Sequence, residues 1–239
     1  MRNKTHICNG DDSVVVTGAG SGIGLEFVRY YASAGRRVVA VVRDSRVIAD
    51  LDSLSASLGV DVVGVDVRSD SQVAEFQRFM ACRPVGLFLH CAGVKGADGS
   101  LARDCSVSEW LDVLDVNLLG AFRVFRSLQP SFAEAGKSKA VMISSISGAF
   151  SSMSGGGMYQ YRTSKVALNR LVQLLAVDFK GAGVCVYAMH PGWVRTRIGG
   201  SQAPLGAADS VRSMCDVISG LTACQSGFFF DWQGRRLQW

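Results

Sequence analysis

The sequence predicts an α/β fold in a single domain spanning residues 1–239: one doubly wound parallel sheet of about seven strands with helices on both faces. Short β-branched runs alternate with longer stretches of helical spacing, which is typical of parallel βαβ units with right-handed crossovers. The runs are apolar at successive positions, as in strands that helices cover from both sides. Since no linker, charge block or repeat interrupts the alternation, the pattern indicates one domain.

Each element is predicted from its own stretch of the chain. Strands are predicted where β-branched and aromatic residues dominate, over residues 13–17, 37–42, 61–67, 85–89, 140–144, 184–189 and 227–230. Helices are predicted where apolar residues recur at the helical period, over residues 23–34, 45–57, 70–81, 106–135, 159–180 and 207–221.

The composition excludes several classes of protein. With 48% hydrophobic and 19% charged residues, the 239-residue chain can bury a core that a disordered protein lacks. The net charge of +5 comes from scattered basic residues, whereas a nucleic-acid interface concentrates them in a patch. Since no apolar run reaches about 18 residues, we expect no membrane span and no nucleic-acid or membrane partner.

The cysteines and the first residues predict a cytoplasmic protein. Seven cysteines, an odd number without CxxC spacing, favour reduced thiols over a disulfide framework. The Cys and His residues do not have the spacing of zinc ligands, so we expect no metal site. The first twelve residues contain no apolar stretch suited to a signal peptide.

A glycine-rich loop follows the first predicted strand. The segment from Gly18 to Gly24 has glycines at 18, 22 and 24 in G-x-x-x-G-x-G spacing, and a helical pattern opens at once. In the first strand–turn–helix of an α/β chain, glycines admit a pyrophosphate close to the backbone, and the helix N-terminus favours its negative charge. The segment therefore predicts nucleotide binding, with a tight turn without ligand as the alternative.

The end of the second strand bears on the choice of cofactor. Arg43 stands nineteen residues after Gly24 and has a planar guanidinium that can pair with a 2′-phosphate. This favours NADP. Asp44, one residue further on, could accept hydrogen bonds from an unphosphorylated ribose, so NAD stays open, as does Arg43 as a solvated charge.

A tyrosine and a lysine lie one helical turn apart. Tyr161 and Lys165 open a predicted amphipathic helix, and residues four apart share a helix face. A nearby ammonium stabilises a phenolate, so we expect Lys165 to lower the pKa of Tyr161 and make it a proton donor and acceptor near neutral pH. Ser145 follows a predicted strand at the carboxyl edge of the sheet, where ligands bind. The alternative is an ordinary helix start with a surface lysine.

Together these segments resemble the short-chain dehydrogenase/reductase family over nearly the whole chain. The landmarks occur in the family's order: TGAGSGIG at 17–24, Asp66, CAG at 91–93, Val116-Asn117, Ser145, Tyr161-x-x-x-Lys165, and Pro191-Gly192 followed by Thr196. The stretches 155–169, 190–200 and 227–239 are similar to the C-factor-like and sniffer-like branch, whose members are regarded as carbonyl reductases, some with proposed signalling roles.

The resemblance implies roles for particular residues. Tyr161 would protonate the nascent alkoxide, Lys165 would hold the ribose, Ser145 would bind the substrate carbonyl, and Asn117 would anchor a proton-relay water. The implied cofactor-binding residues are Gly18, Ser21, Gly22, Ile23 and Gly24 along the pyrophosphate, Arg43, Asp66 and Val67 at the adenosine, Cys91, Ala92 and Gly93 beside its ribose, Tyr161 and Lys165, and Pro191, Gly192, Trp193, Val194 and Thr196 over the nicotinamide.

The chain departs from the family pattern at three places. His90-Cys91 stands where the family has Asn-Asn, and we expect a structural role for His90. Ser145 lies sixteen residues before Tyr161, against about thirteen in relatives, which leaves Ser147 as a weaker substitute. Only about ten residues separate Thr196 from the last helix, so a short lid and an open site are expected.

The sequence thus predicts an NADP(H)-preferring oxidoreductase that interconverts a small-molecule carbonyl and its alcohol. The alternative is a dinucleotide-binding signalling or interaction protein with little turnover. The resemblance also implies a homodimer or homotetramer.

Overall fold

The computed structural model describes residues 12–44, 49–96, 105–152 and 155–239. Within these ranges the strands are β1 (Ser13–Thr17), β2 (Val38–Val42), β3 (Asp61–Gly64), β4 (Val85–His90), β5 (Ser138–Ile143), β6 (Val184–His190), β7 (Phe229–Asp231) and β8 (Arg236–Leu237). The α-helices are α1 (Gly22–Ser33), α2 (Ala49–Leu58), α3 (Asp70–Phe79), α4 (Val107–Leu114), α5 (Gly120–Ser127), α6 (Gln129–Ala135), α7 (Tyr159–Asp178) and α8 (Ala207–Gly220).

The strands form one sheet in the order β3-β2-β1-β4-β5-β6-β7-β8. All neighbouring pairs are parallel except β7 and β8, which are antiparallel. The chain therefore winds from β1 to one side and from β4 to the other, which confirms the doubly wound fold. The sequence did not predict β8, because two residues after the turn at Gly234 are too few to show a period.

Both faces of the sheet are buried, as the apolar runs predicted. Alternate residues of β1 point into different cores: Val15 packs with Val39 and Phe88 on one face, while Val14 and Val16 pack on the other. All are almost fully excluded from solvent. The β-branched side chains fit the pleated, doubly covered surface of central strands.

Most predicted elements differ from the structure by a few residues at their ends, and two differ more. The single helix expected over 106–135 is divided into α4, a π-helical turn at Asp115–Leu119, α5 and α6. Pro130 contributes to this division, because proline lacks a backbone N–H and is tolerated in the first turn of a helix, here α6, rather than in its interior. The strand expected over 61–67 ends at Gly64, so that Val65, Asp66 and Val67 leave the sheet and line a cavity at its carboxyl edge.

The structure also bears on the predictions about the cysteines and a membrane span. Six cysteines lie in the described ranges, and all are free thiols; Cys8 lies outside them, as do residues 45–48 of the second predicted helix. Among the described residues no helix is long and apolar enough to cross a membrane.

Candidate active site

The glycine loop is shaped for close contact with a ligand. Gly18 has a left-handed φ of +63°, and a Cβ there would lie 2.7 Å from the backbone nitrogen of Ala92. A Cβ on Gly24 would collide with the carbonyl oxygen of Gly18. Helix α1 begins at Gly22 with no acidic residue in its first turn, so its N-terminal N–H groups meet no competing carboxylate from their own helix. The cradle therefore fits the pyrophosphate that the sequence predicts.

A cavity of about 390 Å³ extends from this loop along the carboxyl edge of the sheet. It runs over the end of β2, the segment after β3 and the segment after β4. The predicted cofactor residues on its wall are Gly18, Ser21, Gly22, Ile23, Gly24, Arg43, Asp66, Val67, Cys91, Ala92, Gly93 and Thr196. Arg43 and Asp44 are both exposed there, so the two candidates for cofactor choice lie at the same end.

Two further arginines, Arg68 and Arg197, line this cavity. The guanidinium of Arg68 holds both carboxylate oxygens of Asp66, with Nη2 2.7 Å from Oδ2 and Nε 3.1 Å from Oδ1. Hydrogen bonds from Arg68 lower the pKa of Asp66. The carboxylate implied to contact adenine is therefore ionised and fixed in direction. Sequence reasoning missed both arginines, although each directly follows a predicted site residue, Val67 or Thr196.

A second cavity of about 500 Å³ adjoins the first. The two share Ile23, Cys91, Gly93, Thr196 and Ile198 as wall residues. Ser145, Tyr161 and Lys165 converge on the second cavity, together with Pro191, Gly192, Trp193 and Val194. Lys95 and Met158 line it too and were not foreseen, because their position depends on how separate loops pack. Of the predicted site residues, Asn117 alone lines neither cavity.

Tyr161 lies at the start of α7 and is partly buried. Burial raises the pKa of the phenol, and a hydrogen bond with Ser145 opposes part of the rise. The prediction that Lys165 lowers this pKa is wrong for the protein alone. The lysine Nζ lies 5.6 Å from the centroid of the Tyr161 ring, and desolvation of the phenol dominates its pKa.

Lys165 is 5% exposed. Its ammonium donates a 2.9 Å hydrogen bond to the carbonyl oxygen of Ile143, at the end of β5. Burial lowers the pKa of Lys165 to about 8, because the charged form loses water. The lysine is thus a cation at neutral pH that releases its proton more readily than a surface lysine.

Ser145 occupies the turn after β5 and can reach the phenol. Its Oγ accepts a 3.1 Å hydrogen bond from the backbone of Ser147, which fixes the side chain. Its neighbour Ser144 instead donates to Asn169 inside the protein. Ser147 also lines the second cavity, but the hydrogen bond of Tyr161 is with Ser145. The geometry favours Ser145 over Ser147 as the partner of the tyrosine.

Asn117 lies in the π-helical turn and is completely buried. Its Oδ1 accepts from the backbone N–H of Val94 at 2.8 Å, and its Nδ2 donates to the Val94 carbonyl and to Ser164 Oγ, both at 2.9 Å. Both amide hydrogens are therefore in use. The side chain links the segment after β4 to α7, and it has no amide hydrogen left to donate to a water.

His90 lies in the core, outside both cavities, as the expected structural role requires. It is 1% exposed, and its Nδ1 is 3.0 Å from Thr17 Oγ1. The same hydroxyl accepts from the Ala92 backbone N–H at 3.3 Å. Among the described residues, Nε2 has no hydrogen-bond partner. Burial lowers the pKa of His90 to about 3, so the ring is neutral near neutral pH.

The described residues contain no group of three His, Cys, Asp or Glu side chains that could hold a metal ion. The joined cavities bring together a phenol, a buried ammonium and a serine hydroxyl, with Lys95 and His190 also on the wall, beside a glycine loop suited to phosphates.

Comparison with known proteins gives consistent matches. Residues 12–204 match the sequence model of the short chain dehydrogenase family. The C-signal of Myxococcus xanthus is 36% identical over 156 residues, which are 65% of this chain and 93% of that protein. An NADPH bound carbonyl reductase from chicken fatty liver has a TM-score of 0.89 at 25% identity, covering 95% of this chain and 98% of its own. The carbonyl reductase Sniffer of D. melanogaster has a TM-score of 0.88 at 26% identity, covering 97% and 100%.

Proposed function

Because the chain belongs to the short-chain dehydrogenase family, we propose that it is an NADP(H)-preferring oxidoreductase that interconverts a small-molecule carbonyl and its alcohol. One observation carries the proposal. Ser145, Tyr161 and Lys165 converge on a cavity that shares its wall with the cavity of the glycine loop. A carbonyl in the second cavity would therefore lie beside a dinucleotide in the first, and the nicotinamide would supply the hydride.

The protonation state of Tyr161 suits the reduction direction. Since burial raises the pKa of its phenol, the side chain is protonated at neutral pH and can give its proton to an oxygen that gains negative charge. Ser145 would hold that oxygen, and the Lys165 ammonium would stabilise the phenolate left behind. The amide of Asn117 would keep the loop at Val94 in place rather than bind the relay water through its side chain.

The second cavity favours an apolar carbonyl compound with a flat face. Trp193 is 59% exposed at its rim, and its indole N–H donates a 2.8 Å hydrogen bond to the carbonyl of Gly199. This bond fixes the ring, so that a bound aromatic or aliphatic group can pack against it. His190, also on the wall, has a pKa lowered by burial to about 4 and adds no charge near neutral pH.

Replacement of Tyr161 tests the mechanism. Tyr161→Phe keeps the ring and removes the acid, so reduction of test aldehydes and ketones with NADPH should fall by about 100-fold or more. Tyr159→Phe is the matched control, because Tyr159 begins the same helix but does not line the second cavity. Wild-type turnover by a folded Tyr161→Phe variant with unchanged NADPH affinity would refute the assignment.

The preference for NADP rests on the charges at the adenosine end. Arg43 and Arg68 line the first cavity together with Asp66, and a carbonyl reductase of the same fold is NADPH bound. Arg43→Asp should weaken NADPH binding by at least tenfold and change NADH binding little, as measured by calorimetry. Equal affinity of the wild-type protein for both cofactors would contradict the preference.

A second candidate is a dinucleotide-binding signalling protein with little turnover. It is favoured by the similarity to a protein named C-signal and by the unusual His90-Cys91 pair. A panel of aldehydes, ketones and quinones, assayed with NADPH and NADH, separates the two. Tight cofactor binding without oxidation of either cofactor across the panel would favour the signalling role.

We also infer a homodimer or homotetramer in the cytoplasm. Val107 and Leu111 on α4, Leu119 in the π-helical turn and Phe122 on α5 are large apolar side chains exposed along one stretch of chain. Such a surface is typical of a subunit interface. The free cysteines of the described ranges fit a reducing compartment. Sedimentation velocity measures the oligomeric state directly.

A further inference from the structure

A third cavity opens at the edge of the sheet opposite the active site. It encloses about 960 Å³, more than either cavity of that site. Its walls include the amino ends of β5 and β6, the last turns of α7 and the segment after α8. The catalytic side chains instead lie at the carboxyl ends of the same parallel strands, so a ligand here would not meet the dinucleotide.

Much of this cavity is apolar. Ala176 and Val177 from α7, Val184 from β6, and Leu221 and Ala223 after α8 all contribute to its wall. Val177 is 75% exposed and Ala223 is exposed as well. A concave apolar surface of this size is typical of a binding site rather than of a random part of a protein surface.

The charges on the cavity all have one sign. Lys137, Lys139 and Lys180 line it, and no Asp or Glu does so among the residues that the structure describes. Lys139 is 5% exposed, and its ammonium donates to the carbonyl oxygens of Ile218 at 2.6 Å and Ser219 at 3.2 Å. Because these carbonyls form the negative end of α8, the buried lysine offsets that dipole. Lys137 and Lys180 are exposed and leave the mouth positive.

We propose that this cavity binds an amphipathic anion with a single alkyl tail, of the class of a fatty-acid carboxylate. The tail would lie along the wall beside Val177 and Ala223, and the carboxylate would pair with Lys137 and Lys180. An apolar wall with a cationic rim recognises both ends of such a molecule, whereas a neutral lipid would gain nothing from the lysines and a cationic one would be repelled.

Calorimetry on the full chain with dodecanoate, below its aggregation concentration, tests the proposal. We expect saturable binding of one dodecanoate per chain, with dodecanol at least tenfold weaker and dodecyltrimethylammonium not bound. The double variant Lys137→Glu/Lys180→Glu should weaken dodecanoate by about tenfold or more, since two exposed ion pairs become repulsive. Arg78→Glu reverses one charge, as each of these two substitutions does, at an exposed site on α3 and should leave dodecanoate binding unchanged.

A second variant blocks the cavity without changing its charge. Ala223→Trp places an indole on the exposed wall and should abolish dodecanoate binding while NADPH binding persists. Persistence of NADPH binding also shows that each variant is folded. The proposal is overturned if the wild-type protein does not bind dodecanoate, if dodecanol binds equally well, or if NADPH displaces dodecanoate. It is overturned too if Ala223→Trp leaves dodecanoate binding intact. If dodecanoate does not bind the wild-type protein and Ala223→Trp instead dissociates an oligomer, the proposal is also overturned, since this face would then contact a second copy of the chain.

Discussion

Replacement of Gly18 by alanine tests whether the glycine loop is held as closely as the structure shows. At Gly18 the φ of +63° is left-handed, and this region costs an L residue about 1–2 kcal/mol. The new Cβ would also lie 2.7 Å from the Ala92 nitrogen, where ordinary contacts begin at 3.4 Å. The backbone of Ala92 must retreat by about 0.7 Å, and overpacking of this kind costs about 1–3 kcal/mol.

The chain offers a control that separates the two effects. Gly35 has a φ of +74°, and a Cβ added there would have no atom of the described residues within 4 Å. Gly35→Ala should therefore lower the free energy of unfolding by about 1–2 kcal/mol, and Gly18→Ala by about 2–5 kcal/mol. Urea unfolding followed by tryptophan fluorescence measures both.

Cofactor affinity gives the functional half of the experiment. A shift of Ala92 and Gly93 deforms the wall of the first cavity, so Gly18→Ala should weaken NADPH at least tenfold, which corresponds to about 1.4 kcal/mol. Gly35→Ala should bind NADPH as the wild-type protein does. If Gly18→Ala were no less stable than the control, the close backbone approach would be wrong. If it were destabilised yet bound NADPH normally, the loop would not hold the cofactor.

Two predictions concern pH. Because burial lowers the pKa of Lys165 to about 8, kcat/KM for carbonyl reduction should decline above about pH 8. Lys165→Met should lose this inflection along with most of the rate. If the decline persists in Lys165→Met, another group causes it. The pKa of His90 is lowered to about 3 from 6.5. Below pH 6.5 the imidazole is therefore protonated in the unfolded chain but neutral in the folded chain, and stability falls as the pH drops. Between pH 6.5 and 5 this loss of stability is up to about 2 kcal/mol. In urea unfolding, the stability of His90→Asn should therefore depend less on pH than that of the wild-type protein. An equal pH dependence of stability in both proteins would exclude His90 as the cause.

The parts of the site that the sequence predicted are those fixed by local geometry. The glycine loop combines three glycines with the start of a helix, so its shape follows from neighbouring residues. Tyr161 and Lys165 share a face because they are four residues apart in one helix. The strand order brings Ser145 and Thr196 to the same edge, since the carboxyl ends of parallel strands meet there.

Features that depend on distant parts of the chain could not be predicted. The pKa of Tyr161 is raised because many segments together exclude water from the phenol, and no spacing encodes that sum. The hydrogen bonds between Arg68 and Asp66 are local, but the pair lies on the cavity because β3 ends at Gly64, which depends on the packing of the sheet. The partners of Asn117 lie 23 and 47 residues away, so its role as a fastening residue appears only in the folded protein.

The amide of Asn117 connects the two halves of the site through hydrogen bonds. On one side it holds Val94, which lines the first cavity, and on the other Ser164, the residue before Lys165. The start of α7, which carries Tyr161 and Lys165, is thereby held relative to the floor of the first cavity as soon as the chain folds. Under the proposed mechanism, ligand binding need not assemble the reacting groups. Substitutions at the rim around Trp193 can then change the range of substrates without moving Tyr161 and Lys165.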